Sequence, residues 1–265
     1  MWELLLPIIG FLIGTVSAMT GLGGGIFVVP LLTLLYSFAP ANAVGTSLTV
    51  IVFVAASATV NYSRQKRIYY RVGLILALAT VPGALVGAFL TSVIPERTLG
   101  LIFGVVLIFV ALRMLIEGKI FGKNPLVDGN CVEAGAGSER EFFAVKAKFM
   151  SGVVLSFFAG LASGLLGVGG GLLLVPIMIL VIGMQMHVVV ATSMFTMIIT
   201  SLAGVAQHYS LGNIDFGFAS LIAVGSVFGA QLGAYACKRF SGKNLRRLFG
   251  VMLIAISVQM ILKFM

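Results

Sequence analysis

Two short glycine clusters, Gly21-Leu22-Gly23-Gly24-Gly25 and Gly167-Val168-Gly169-Gly170-Gly171, are the residues of this chain best placed to do chemistry. With no side chains to offer, they must act through the backbone. Each glycine costs about 1 kcal/mol in a helix relative to alanine, so three in a row favour a break. A helix restarting after a break presents free N–H groups and a partial positive charge, which together suit an anion. Thr46-Ser47 and Thr192-Ser193 could add hydroxyl donors, and Asn61 and Gln207 could add amides. The candidate substrate-contacting set is therefore Gly21, Gly23, Gly24, Gly25, Thr46, Ser47, Asn61, Gly167, Gly169, Gly170, Gly171, Thr192, Ser193 and Gln207. A plainer reading stands beside it: glycines let helices pack closely, and hydroxyls in a helix bond the preceding turn.

Other chemistry fits less well. Neither cluster completes G-x-G-x-x-G or is followed by Lys-Ser/Thr, so nucleotide binding is not expected, nor is any cofactor or metal. Ser17 and Ser163 sit just before the breaks, where free N–H groups could form an oxyanion hole, and His208 could serve as a base. The serines come as a pair while the histidine is single, so an enzyme is not expected. His187 and His208 are read as structural. Cys131 and Cys237 are read as reduced thiols.

The elements that would position these groups are membrane helices. Of 265 residues, 60% are hydrophobic and 9% charged, against about 25% charged in a soluble domain. No Asp, Glu, Lys or Arg lies between Glu3 and Arg64, or between Lys148 and Asp215. Roughly sixty uncharged residues make about 90 Å of helix, some three times the hydrocarbon core, so each run must fold back through the bilayer. Period-two alternation is absent from stretches such as 73–88 and 248–262, which argues for helices over a barrel. The first twenty residues lack a basic start and have an internal near-copy, so they read as a retained helix rather than a cleaved leader.

The chain is a duplication. At an offset of 146 (167 minus 21), Gly14, Ser17, Gly21, Gly23, Gly24, Gly25, Val29 and Pro30 fall on Gly160, Ser163, Gly167, Gly169, Gly170, Gly171, Val175 and Pro176. The register holds without a gap through Thr46-Ser47 on Thr192-Ser193 to Phe103-Gly104 on Phe249-Gly250. The expected domains are a first repeat over 1–116, a polar, mobile cytoplasmic linker over 117–148, and a second repeat over 149–265. Five apolar segments are expected in each, at 4–20, 25–38, 42–61, 72–94 and 98–116, then 149–166, 171–184, 188–207, 217–236 and 245–263. The second of each set is too short to span unaided, so the first two could span or form a re-entrant pair.

Basic residues orient the copies. The loop after the third segment carries Arg64, Lys66, Arg67 and Arg71 in the first copy, while its counterpart, 208–216, carries only Asp215 as a charge. After the fourth segment the pattern reverses, with Glu96 and Arg97 against Lys238, Arg239, Lys243, Arg246 and Arg247. The expected fold is thus an all-α integral membrane protein of two inverted-topology repeats, with both termini outside. The net charge of +9 is mostly this topology signal, and nucleic acid is not an expected partner. No carboxylate lies within a segment, which favours an anion over a cation as cargo.

At these same residues the chain resembles the TauE/SafE family of sulfite and organosulfonate exporters. The resemblance rests on the paired G-x-G-G-G-x-x-x-x-P motifs at 21–30 and 167–176 and the Ala-Val-Gly-Thr-Ser (43–47) and Val-Val-Ala-Thr-Ser (189–193) starts. It implies a multi-pass transporter of the bacterial inner membrane exporting sulfite, sulfoacetate or a related anion, with the glycine clusters and Thr-Ser pairs at the core of the site. The expected mechanism is alternating access, one repeat moving against the other. An anion channel and a carrier of another small organic anion are the alternatives. The expected partners are a small anionic substrate and the lipid bilayer, and a homodimer is an admissible assembly. Cysteines placed at Arg67 and Asp215 should react with an impermeant maleimide from opposite faces of the membrane. Labelling of both from one face would overturn the inverted arrangement.

Overall fold

A computed structural model describes residues 5–95, 146–182, 184 and 186–237, with scattered positions between 97 and 108 and at 258 and 262. Among the described residues every regular element is a helix. In chain order they are α1 (Leu6–Thr20), α2 (Gly25–Pro30, running on as a π-helical turn over Leu31–Leu35), α3 (Pro40–Arg64), α4 (Tyr70–Val93), α5 (Lys146–Leu166), α6 (Gly171–Leu180), α7 (Met186–Ser210) and α8 (Phe216–Ala236). α3, α4, α7 and α8 are each long and apolar enough to cross a membrane. This is a multi-pass membrane protein. Its outer surface agrees, since Ile8, Leu12, Leu78, Phe158 and Phe228 are all more than half exposed. The interior is instead rich in small and hydroxylic residues, as helix packing in lipid requires.

Some boundaries differ from the sequence expectation. α3 starts at Pro40 rather than residue 42, because proline suits the first turn of a helix, where its missing N–H has no partner to lose. It runs past residue 61 to Arg64, where Gln65 Nε2 donates to Ala234 O (3.1 Å) and to Asn61 Oδ1 (2.8 Å). α5 begins at Lys146, inside the stretch expected to be linker. Apart from those scattered positions, the expected fifth segments (98–116 and 245–263) and most of the linker lie outside the described residues.

Glycine seams join helices from different halves of the chain. A Cβ at Gly225, Gly229 or Gly233 of α8 would run into the backbone of Pro7, Phe11 or Thr15 of α1, and one at Gly10 or Gly14 would meet Ile222 or Ser226. The contacts climb both helices together, so α1 and α8 run parallel. α4 and α5 repeat the arrangement, with Gly83 and Gly87 against Phe157 and Leu161, and Gly160 and Gly164 against Thr80 and Ala84. Small residues four apart allow such main-chain approach, and dispersion over the whole seam replaces the hydrophobic effect that lipid removes.

Polar contacts attach one further helix to each pair. α3 runs parallel to α8, with Ser57 Oγ donating to Val227 O (2.7 Å) and Asn61 Nδ2 to Gln231 Oε1 (3.1 Å). α7 runs parallel to α4, with Thr196 Oγ1 donating to Gly73 O (3.2 Å) and Thr200 sharing a 2.6 Å hydroxyl contact with Thr80. Between the two groups the sense reverses: Gly45 of α3 faces Asn213 and His208, while Leu48 faces Gly204. The described helices thus form one group of α1, α3 and α8 and another of α4, α5 and α7, meeting where α3 and α7 pack antiparallel. Gly229→Leu forces a branched side chain into the Phe11 main chain and should destabilise the protein by about 3 kcal/mol or more, seen as a lower thermal midpoint in detergent.

Candidate functional site

Each glycine cluster is a sharp reversal. α1 stops at Thr20 because Gly21 turns left-handed (φ 76°) and its N–H donates back to Ser17 O at 2.9 Å. The chain then doubles back along α1, so that Gly24 lies beside Ser17 and Ile13. Gly24 has φ 85°, a conformation that strains any residue with a Cβ, and it forms the N-cap of α2. The second half repeats this closely: Gly167 N–H donates to Ser163 O at 2.9 Å, and Gly170 (φ 82°) is the N-cap of α6.

The two reversals meet. A Cβ on Gly25 would strike Gly167 O and Val168, and one on Gly171 would strike Gly21 O and Met197. Gly23 faces Met197 of α7, and Gly169 faces Ile51 of α3, the two side chains holding equivalent places in the duplication. Backbone therefore packs on backbone at the centre of the molecule, which only glycine permits.

The Thr-Ser pairs brace this junction, and they do so reciprocally. Ser47 Oγ donates to Gly167 O at 2.8 Å, and Ser193 Oγ donates to Gly21 O at 3.1 Å. Thr46 Oγ1 accepts the N–H of Asp215 at 3.0 Å, and Thr192 Oγ1 accepts that of Tyr69 at 3.1 Å. All four residues are fully buried. Each hydroxyl thus reaches the half of the chain it does not belong to, capturing a carbonyl freed by a break or fixing the loop before a membrane helix. Asn61 is engaged with α8 through Gln231, while Gln207 lies half-buried near the far end of α7.

The groups left over for a ligand are backbone N–H groups. Those of Gly25 and Ile26 in α2, and of Gly171 and Leu172 in α6, have no backbone carbonyl among the described residues. The first such bonds come from Phe27 and Val28 to Gly24 O, and from Leu173 and Leu174 to Gly170 O. The dipole of each short helix adds a partial positive charge at the same place. Ser17 and Ser163, singled out in the sequence only for hydrolytic chemistry, lie next to these N-termini. Their matching distance before each break was the one signal that could have marked them as part of this site.

His208 forms no catalytic pair. Its Nε2 is 3.2 Å from Gly164 O, so it is the protonated nitrogen, while Nδ1 and the hydroxyls of Ser17 and Ser163 have no partner. Tyr62, the equivalent residue in the first half, donates in the same way to Ala18 O at 2.7 Å. The two side chains do one structural job, tying the end of the preceding broken helix to α3 or α7. No group of His, Cys, Asp or Glu able to hold a metal occurs among the described residues.

The family model for the sulfite exporter TauE/SafE matches residues 6–260 of the chain. The protein belongs to the TauE/SafE family. Among similar proteins is the probable membrane transporter protein YunE of Bacillus subtilis, 31% identical over 264 residues, covering 97% of this chain and 96% of that one. A probable membrane transporter protein of Xylella fastidiosa is 27% identical, covering 95% of this chain and 92% of its own length. The probable membrane transporter protein MJ0441 of Methanocaldococcus jannaschii is 25% identical, with coverage of 97% and 95%. No solved structure matches the chain. This TauE/SafE protein is accordingly a membrane transporter and not an enzyme.

Ser47→Ala and Ser193→Ala each strand a buried glycine carbonyl of the opposite half. Each should cost about 1–3 kcal/mol of stability, read as a fall in thermal midpoint in detergent. Ser193 Oγ divides its one proton between Gly21 O and Val190 O (3.0 Å), so the Ser193→Ala loss should be the smaller.

Proposed function

We propose that this TauE/SafE protein is a secondary transporter that exports a small sulfur-containing anion, such as sulfite, sulfoacetate or a related sulfonate, across the cytoplasmic membrane by alternating access. The observation that carries the reading is the meeting of two broken helices whose free N–H groups lie deep among apolar spans. Among the described residues the one carboxylate is Asp215, and it is spent capping α8 through a 3.1 Å bond from Phe218 N–H. The interior therefore offers donors and dipoles but no negative charge, which suits an anion.

The repeats, over 1–116 and 149–265, are inverted in this reading. The antiparallel packing of the equivalent helices α3 and α7 supports it, as do the opposite charges of their following loops. On the basic side, Arg67 keeps a buried guanidinium nitrogen without a partner, beside the loop where a cytoplasmic anion would arrive. Both termini then lie outside the cell membrane. The tight seams also change what must move. Because α1 is locked to α8 and α5 to α4, the bodies able to rock are the two mixed groups, α1–α3–α8 and α4–α5–α7, rather than one repeat against the other. The contact of backbone on backbone at the clusters supports a carrier over a continuously open pore.

Radiolabelled sulfite should cross proteoliposomes containing the wild-type protein, saturably and without single-channel currents. Gly24→Leu or Gly170→Leu should abolish that flux while the protein still inserts, since the side chain would stand where the helix N-terminus offers its amides. Absence of flux for sulfite and every sulfonate tried would sink the substrate assignment, and unitary currents would replace the carrier with a channel.

A further inference from the structure

Ser17 and Ser163 hold equivalent positions in the two halves, are 0% and 1% exposed, and have hydroxyls without a hydrogen-bond partner. Their neighbours do otherwise. Thr20, Thr80, Ser156 and Ser226 all return their hydroxyls to a carbonyl three or four residues earlier. That bond is the ordinary refuge of a helical hydroxyl in an apolar setting, and both serines forgo it.

Both serines lie against the helix N-termini instead. Ser17 Oγ is 3.1 Å from where a Cβ on Gly24 would stand, and Ser163 approaches the same point on Gly170 through its Cβ, at 3.6 Å. Glycine N-caps supply no side-chain acceptor, so the first amides of α2 (Gly25–Leu35) and α6 are left uncapped. A buried hydroxyl and two backbone N–H groups thus lie at each reversal with no acceptor for them among the described residues. Such a shortage of acceptors occurring twice, at equivalent places, calls for an acceptor from outside.

We infer that each half-helix N-terminus and its serine form a cradle for a small oxyanion, so that the chain carries two cradles, one per half. The inference rests on the anion-transport reading and deepens it. All the donors are neutral, so the fitting ligand is a compact anion with several acceptor oxygens, as in sulfite or the head of a sulfonate, one oxygen taking the serine and another the amides. The cradles are not identical. Ser201, also fully buried and without a partner, lies against Gly169, and its counterpart in the first half is Ala55. The second cradle therefore has a second hydroxyl nearby and should bind more tightly.

The test is thermal unfolding of the purified protein in detergent, titrated with sulfite, sulfate and phosphate, for wild type, Ser17→Ala, Ser163→Ala and the double variant. In the anion-free protein each alanine should raise the midpoint, because it removes an unsatisfied buried hydroxyl. Each should also weaken the apparent affinity for sulfite about tenfold, the range expected for a bond to a charged acceptor, and the double variant should lose the response. Wild-type sulfite affinity and flux in both single variants would overturn the cradles and leave the export reading standing. A fall in the anion-free midpoint would also overturn them, since the hydroxyls would then be serving the fold. Loss by the variants of a response to sulfate or phosphate, in a protein indifferent to sulfite, would uphold the cradles and reject the sulfur anion. No response of the wild type to any of the three would reject both.

Discussion

Lipid tails donate no hydrogen bonds, so a helix broken within the bilayer must find its freed carbonyls partners inside the protein. The reciprocal bonds from Ser47 to Gly167 O and from Ser193 to Gly21 O meet that demand at the two reversals. Neither half could do so alone, because each supplies the hydroxyl that the other needs. The antiparallel crossing of α3 and α7 carries these serines to their targets, and the Thr46 and Thr192 hydroxyls then fix the loops before α8 and α4. Left without a partner among the described residues are the amides at the starts of α2 and α6 and the hydroxyls of Ser17 and Ser163. A centre rich in such donors is electropositive without containing a cation.

Much of this architecture was legible in the chain. The 146-residue register aligned the two glycine clusters, and the clusters marked where α1 and α5 would stop. The short segments after them gave α2 and α6, and the uncharged runs gave the membrane spans. These are local signals, carried by propensity and by the intolerance of lipid for charge. The roles of the hydroxyls were not local. Ser47 reads as an anion donor when only its own helix is considered, yet its partner lies 120 residues away. Ser17 and Ser163 stood out by position, but only the folded chain reveals that they, unlike Ser156 or Ser226, have given up the bond to their own helix.

Departures from the internal symmetry are as informative as its persistence. Tyr62 and His208 differ in every chemical respect except an N–H or O–H at the right reach, and each ties down a carbonyl at the end of the broken helix before it. The constraint is therefore a donor at that point, and the residue type is free to drift. Thr80 and Thr200 bond to each other in one group of helices, while the corresponding seam of the other uses Ser57, Asn61 and Gln231. The two groups have the same plan but different polar fastenings, so they need not be equally rigid.

The pairing of α1 with α8 sets a problem of timing. α1 is the first of these helices to leave the ribosome, and the helix whose glycines it must embrace is the last of the eight, its contacts about 218 residues further along (Gly229 against Phe11). Until then α1 sits in the bilayer with the backbone at Gly10 and Gly14 uncovered and the Gly21 carbonyl waiting for Ser193. Assembly of the first half is thus held open by its own design, and closes only when synthesis of the second is nearly complete. A chain released early would present unsatisfied backbone at membrane depth, the feature by which a quality-control protease can tell an unfinished transporter from a finished one.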